Sequence, residues 1–442
     1  MITGVWRWFC QIVVNVFYRH YEVDGIENLT ESRPVLLCAN HANALADAVI
    51  LQAVSSRLIH PLARSGLFKN PFLWPILQLI QAVPIFRRQD EGADTSRNQD
   101  SFSRCYDFFK RGEVLLIFPE GQSHSDPGLR PLKTGAARMA LGARQAGVEP
   151  LVIPVGLNFS SKGQFRSTVF IKFGTPINTM VDATQTEEEQ ARQLTSAIYA
   201  GLDAVTLNAQ SHEELDFIKT IERFFAMRHG KYRQRSLELR FRAMKKLAQA
   251  QQQLQHRYPE KIALLKQRLA NFDRLCRHWD IRDYHLTVKY RPTLITRFIL
   301  RSLFILLVVL PVGAWGIINS FIPFMLTRWI AHRVSRDTDQ YDTAKMVFGL
   351  AFFSLCWGGQ IWYSHELYGQ TTALIYGLSL IPGAAAGIML RNERQRILEN
   401  LRVFFLFVRK RKLRQYLEQR RERLERDLAE LVRLAKQKSP LS

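Results

Sequence analysis

The sequence predicts an α/β domain with a buried sheet, followed by a helical region and C-terminal membrane helices. Three observations carry this. Short apolar runs alternate with helical stretches over residues 21–205; residues 206–295 are rich in Lys, Arg, Gln and Leu; and three long apolar runs lie beyond residue 296. The chain has 442 residues, room for two or three domains, and a formal net charge of +22. Such an excess implies a polyanionic neighbour, nucleic acid or an anionic membrane surface. The apolar runs select the membrane, and no nucleic-acid reader motif is recognisable.

Residues 1–20, MITGVWRWFCQIVVNVFYRH, lack a charged leader before the apolar stretch, and no A-x-A-like cleavage site follows. Trp6, Trp8, Phe9, Val13, Val14 and Phe17 predict a short interfacial membrane helix that stays attached, with a plain core helix as the alternative. In the α/β domain, 21–205, Val35–Ala39, Val114–Phe118 and Leu151–Val155 read as buried strands, with helices around Ala44–Ser55 and Thr134–Ala146 between them. The basic helical region, 206–295, holds two amphipathic helical segments, read as a bundle with a solvated basic face.

The membrane segments fall within 296–390. Two spans are expected at 344–363 and 370–390, each near the ~20 residues a bilayer crossing needs. The run 298–326 is too short for two crossings, and Pro311, Gly313 and Gly316 sit at its middle, which predicts a re-entrant hairpin. The connection 364–369 has no Lys or Arg, whereas RNERQR and RKRKLR follow residue 390, so the latter is expected on the cytoplasmic face. The tail 391–442 is a basic amphipathic helix that suits membrane phospholipids. Between 391 and 438 it has 16 basic and 7 acidic residues. Its Leu413, Leu417, Leu424, Leu428 and Leu431 form one seam, which would also suit a coiled coil in a homodimer. Cys10, Cys38, Cys105, Cys276 and Cys356 are scattered and form no C-x-x-C pair, so neither a metal site nor a disulfide framework is expected.

Four segments carry chemistry. In ANHANALADAVIL, His41 follows a strand and precedes a helix containing Asp47; this suits a general base held by a carboxylate, provided that His41 sits on the loop and Asp47 inside the helix. In AVPIFRRQD, Arg87 and Arg88 end a strand and can clamp a phosphate. In GEVLLIFPEGQSHSD, the strand stops at Pro119, Glu120 and Gly121 turn, and Ser123 follows; Glu120 and Ser123 can hydrogen-bond a polyol. Lys133 stands just ahead of a helix N-terminus that favours anions. The fourth segment, LVIPVGL, places Pro154 at another strand end.

Together and in this order, the segments resemble the glycerolipid acyltransferase superfamily, which includes glycerol-3-phosphate and lysophosphatidate acyltransferases. Its His–Asp motif is resembled by His41 and Asp47, its arginine by Arg87 with Arg88 as the other register, and its F-P-E-G by Phe118, Pro119, Glu120 and Gly121. The resemblance covers about residues 20–180. Most of the family has four residues between His and Asp, whereas here there are five, as in a branch that includes fungal-type glycerol-3-phosphate and dihydroxyacetone phosphate acyltransferases. The resemblance implies transfer of a fatty acyl group from acyl-CoA or acyl-carrier protein to the hydroxyl of glycerol-3-phosphate. His41 and Asp47 would be catalytic, and Arg87, Glu120 and Gly121 would hold the acceptor. The alternatives are lysophosphatidate or another lysophospholipid as acceptor, or a non-catalytic membrane scaffold. No metal or bound cofactor is implied, because the thioester supplies the activated acyl group.

Overall fold

The computed structural model describes residues 2–29, 33–71, 73–86, 98–182, 184–228, 236–282, 285–286, 292–335 and 338–436. The chain forms two units. The first comprises Met1–Leu215, Ser236–Phe241 and Val334–Met346; the second holds Asp216–Arg235, Arg242–Arg333 and Val347–Ser442.

The first unit is built on a seven-stranded sheet: β1 (His20–Asp24), β2 (Val35–Ala39), β3 (Ile59–Arg64), β4 (Val83–Ile85), β5 (Val114–Ile117), β6 (Leu151–Phe159) and β7 (Thr168–Phe173). Its spatial order is β1-β7-β6-β2-β5-β3-β4, with every neighbouring pair parallel except β6–β7. Every residue of β2, VLLCA, is buried, as expected of a parallel strand covered on both faces. Alternation divides it between two cores. Val35, Leu37 and Ala39 face one layer with helices α1 (Ile2–Phe17) and α2 (Leu45–Val54). Leu36 and Cys38 face the other, which contains Phe108 and Phe109 of α4 (Asn98–Lys110), Met139 of α5 (Gly135–Gln145) and Ile198 of α6 (Glu187–Val205). The short α3 (Trp74–Leu79) precedes β4. A capping box starts α6, in which Thr186 and Glu189 satisfy each other's backbone N–H groups.

Helix α1 belongs to this unit. Cys10, Val14 and Phe17 enter the core, while Val5, Trp8, Ile12 and Val16 remain exposed. One face of α1 is thus in the core, and an apolar face is left outside it.

The second unit is helical: α7 (His212–Arg228), α8 (Leu237–Arg257), α9 (Pro259–His278), α10 (Pro292–Phe304), α11 (Leu310–Val334), α12 (Thr338–Tyr368), α13 (Gln370–Arg409) and α14 (Arg411–Lys436), with the ends of α7, α8, α11 and α12 shared with the first unit. The seam of α14 is not open to a second protomer. Leu417, Leu424, Leu428 and Leu431 are buried in one core with Ile262, Leu265, Leu269 and Phe272 of α9, flanked by the pairs Lys261–Glu430 and Arg268–Asp427. The heptad-like spacing reports an apolar stripe, and a helix of the same chain fills it.

Three helical stretches, Thr296–Val334, Tyr341–Tyr368 and Gln370–Arg391, are long and apolar enough to cross a membrane. The hairpin expected at 298–326 is absent: the helix runs unbroken through Pro311, Gly313 and Gly316. A π-turn at Ile305–Val309 lies just before Pro311 and loosens the turn with which the proline ring would clash. Pro323 deprives the Asn319 carbonyl of its helical donor, and Gln360 Nε2 donates to that carbonyl instead at 3.1 Å. The last of these stretches ends at Arg391, and the helix that contains it, α13, continues to Arg409.

Small residues permit close helix contact. Gly316 lies against Gly383, and Gly313 against Ala386. A Cβ on Gly316 would fall 1.9 Å from the Gly383 carbonyl oxygen, so the backbones must separate to admit one. Gly316→Leu is expected to cost roughly 1–3 kcal/mol or more through overpacking. Thermal melts in detergent check this; a melting temperature equal to the parent's would show that these glycines do not set the helix spacing.

Candidate active site

The site lies at the carboxyl ends of the adjacent parallel strands β2 and β5, where loops gather in open α/β sheets. Asn40 ends β2 by imitating a strand residue: its Oδ1 accepts the Leu157 N–H at 2.7 Å and its Nδ2 donates to the Leu157 carbonyl at 3.2 Å. β2 is thereby tied to β6, and His41 is carried out onto the loop.

The loop then folds back on Asp47 in the first turn of α2. Asp47 Oδ2 accepts three hydrogen bonds, from His41 Nδ1 at 3.0 Å, the Ala42 N–H at 2.8 Å and the Asn43 N–H at 2.8 Å. Asp47 is fully buried. A carboxylate accepts at Nδ1, so neutral His41 carries its proton there and keeps its lone pair on Nε2. The five intervening residues are accommodated by Ala44, whose φ of 47° and ψ of −127° are unusual for a residue with a side chain. Such a conformation costs of order 1–3 kcal/mol and persists where its surroundings impose it.

Phe118, Pro119, Glu120 and Gly121 form a β-turn after β5, closed by the Gly121 N–H donating to the Phe118 carbonyl at 3.0 Å. Pro119 occupies the second position of the turn, and Gly121 takes the left-handed φ of 76°. The Phe118 ring stacks on the His41 imidazole, with centroids 3.9 Å apart and planes 12° from parallel. Glu120 points inward and is 3% exposed. Its Oε1 accepts the His41 N–H at 2.8 Å, and its Oε2 accepts the Arg130 N–H at 3.0 Å and a short bond from His124 Nε2. His124 Nδ1 in turn accepts the Asp126 N–H at 3.2 Å, so the ring proton sits on Nε2 and faces Glu120. The sequence suggested that Glu120 receives a polyol; the structure instead uses both its oxygens to join His41, His124 and Arg130. Sequence reasoning assigned nothing to His124 or Arg130, although His124 stands only four residues after Glu120.

Lys133 is exposed beside this turn. Its backbone N–H donates to the Pro119 carbonyl at 2.8 Å, and its side chain runs over Gly121, where a Cβ would come within 3.0 Å of Lys133 Cε. Ser123 is half-buried on the loop beyond Gly121. Arg87 and Arg88 lie outside the described residues. No group of three or more His, Cys, Asp or Glu with metal-binding geometry occurs among the described residues.

Burial pushes the Glu120 carboxyl upward, but the bonds from His124, Arg130 and His41 outweigh it, and the net direction is below the ordinary 4.5. A carboxylate depressed in the folded state contributes stability above the unfolded value and loses it as pH falls through the folded one. Glu120→Gln is thus expected to cost roughly 1–3 kcal/mol at neutral pH. It should also flatten the fall of stability below pH 4.5. Melting curves of parent and variant across the acid range test both.

Residues 20–158 match the family described as Acyltransferase. Among relatives, glycerol-3-phosphate O-acyltransferases 1 and 2 of Saccharomyces cerevisiae are 31% and 33% identical, over 28% and 30% of this chain and 17% and 19% of their own lengths. The chloroplastic 1-acyl-sn-glycerol-3-phosphate acyltransferase BAT2 of Brassica napus is 28% identical over 36% of this chain and 42% of its own. The matched segment thus spans under a fifth of each yeast relative. The likeness to these acyltransferases is carried by residues 20–158.

Proposed function

We propose that the protein transfers a fatty acyl group from a thioester to the hydroxyl of a glycerol-phosphate acceptor at a membrane surface. The observation that carries this reading is the His41 Nδ1–Asp47 Oδ2 bond of 3.0 Å, made to a fully buried carboxylate also held by two peptide N–H groups. It leaves Nε2 as the basic nitrogen. Nε2 takes the proton of the acceptor hydroxyl as that oxygen attacks the thioester carbonyl carbon. The C–S bond breaks, the imidazolium returns the proton to the departing thiolate, and an ester and a free thiol remain. Asp47 stabilises the imidazolium between these steps. Glu120 holds the His41 backbone from the other side. Lys133 supplies positive charge for the acceptor phosphate, with Arg87 or Arg88 as its partner.

The names of the relatives support the choice of acceptor class. The yeast proteins are named for glycerol-3-phosphate, and the plant protein for its 1-acyl ester. The match covers more than twice as large a share of the plant protein, which favours a monoacylated acceptor of the lysophosphatidate type over the glycerol-3-phosphate suggested by the sequence motifs. Acyl-CoA or acyl-carrier protein serves as donor. The Arg- and Lys-rich stretch after residue 390 supports a cytoplasmic position for that end of the spans. A catalytic face on the cytoplasmic side fits the supply of thioesters there.

Purified protein in nanodiscs, supplied with radiolabelled acyl-CoA and separately with acyl-carrier thioester, tests this against glycerol-3-phosphate, dihydroxyacetone phosphate and lysophosphatidate. Labelled product is expected with lysophosphatidate, and His41→Ala should lower its rate by ~10²–10⁴. Product from glycerol-3-phosphate alone would move the acceptor and keep the mechanism. A His41→Ala protein as active as the parent would remove the general base.

A further inference from the structure

We infer that Thr343, at the start of the second membrane-length helix, is a positioning residue for the His41–Asp47 turn. The inference rests on the reaction proposed above. The relevant contacts all lie within the first unit, which includes Val334–Met346. Thr343 Oγ1 donates to the Asn43 carbonyl at 3.0 Å and accepts the Ala46 N–H at 3.3 Å. One hydroxyl therefore bridges the two residues that flank the strained Ala44–Leu45 step, with Ala44 held at a φ of 47°. The same N–H also reaches the Asn43 carbonyl directly at 3.0 Å, so the hydroxyl closes a small ring of hydrogen bonds over the turn.

Thr343 is itself held in place. Its neighbour Asp342, fully buried, accepts the Gly163 N–H through Oδ2 at 3.0 Å. Lys345 Nζ donates to the Gly163 carbonyl at 2.8 Å. Residues 342 and 345 thus grip both polar groups of one glycine in the loop between β6 and β7, while 343 reaches the catalytic turn. The clamp is long-range, with Thr343 and Asn43 separated by 300 residues. It makes the geometry of His41 depend on the seating of a helix that continues to Tyr368. Asp47 fixes the turn from inside and Thr343 from outside. Loss of the hydroxyl leaves the fold intact but lets the Asn43–Ala46 backbone, and with it the imidazole, leave the reactive orientation.

The experiment compares full-length parent, Thr343→Val and Thr343→Ser in nanodiscs. Val keeps the shape without the hydroxyl, and Ser keeps the hydroxyl. The expected result is a kcat about tenfold lower for Thr343→Val. Its KM for the thioester and its melting temperature should stay at parental values, and Thr343→Ser should restore kcat. In parallel, hydrogen–deuterium exchange of a peptide spanning residues 40–47 should be faster in Thr343→Val and parental in Thr343→Ser. Parental kcat and parental exchange in Thr343→Val would overturn the inference, as would equal losses in both variants. If the parent itself transfers no acyl group, the reaction proposed above fails, and the exchange data alone decide whether the clamp exists.

Discussion

One carboxylate oxygen organises the site. Asp47 Oδ2 gathers the imidazole of His41 and the next two peptide N–H groups, and the loop folds around it. A buried carboxylate is costly without hydrogen-bond donors; three of them meet at this oxygen, and the one from His41 fixes the tautomer of the histidine. The strained backbone at Ala44, the position of His41 above Phe118 and the start of α2 all follow from closing that loop onto a single atom. Glu120 acts similarly from the neighbouring strand. It holds the peptide of the same histidine and ties it to the His124–Arg130 loop. Two buried carboxylates, each just beyond one of two adjacent parallel strands, thus fix one imidazole.

The apolar helices follow a different rule. No hydrophobic force drives helices together in lipid, so close packing and satisfied polar groups must do so. Gly313, Gly316 and Gly383 remove side chains where backbones meet. Trp315 Nε1 donates to Ser379 Oγ at 3.0 Å, and Gln360 covers the carbonyl released by Pro323. The prolines and glycines that would break a helix in water serve here as contact points.

The sequence makes legible whatever is settled by nearby residues. The all-apolar strands, the His–loop–Asp order, the F-P-E-G turn and the three apolar helices each follow from composition and spacing over a dozen residues or so. What it conceals depends on distant partners. That Glu120 faces inward is decided by His124 and Arg130, which come together only when the loop closes. Asn40 reads as a motif residue, yet its work is to grip Leu157 across the sheet. Pro311, Gly313 and Gly316 read as a bend because an isolated helix would break there; a π-turn and a glycine-lined neighbour remove the need. The leucines of 411–436 announce a stripe without saying which helix covers it.

That stripe has a consequence for the order of synthesis. The α14 side of the core around Ile262, Leu265 and Leu269 does not leave the ribosome until all the intervening apolar segments have been made. At 5–20 residues per second this leaves the part of 259–278 that α14 covers without its partner for about several seconds or more. Throughout that interval the nascent chain must keep this stripe from other exposed surfaces, while the residues that will shield it are still being translated. The core of the helical region is therefore completed only after the apolar segments that follow it have been made.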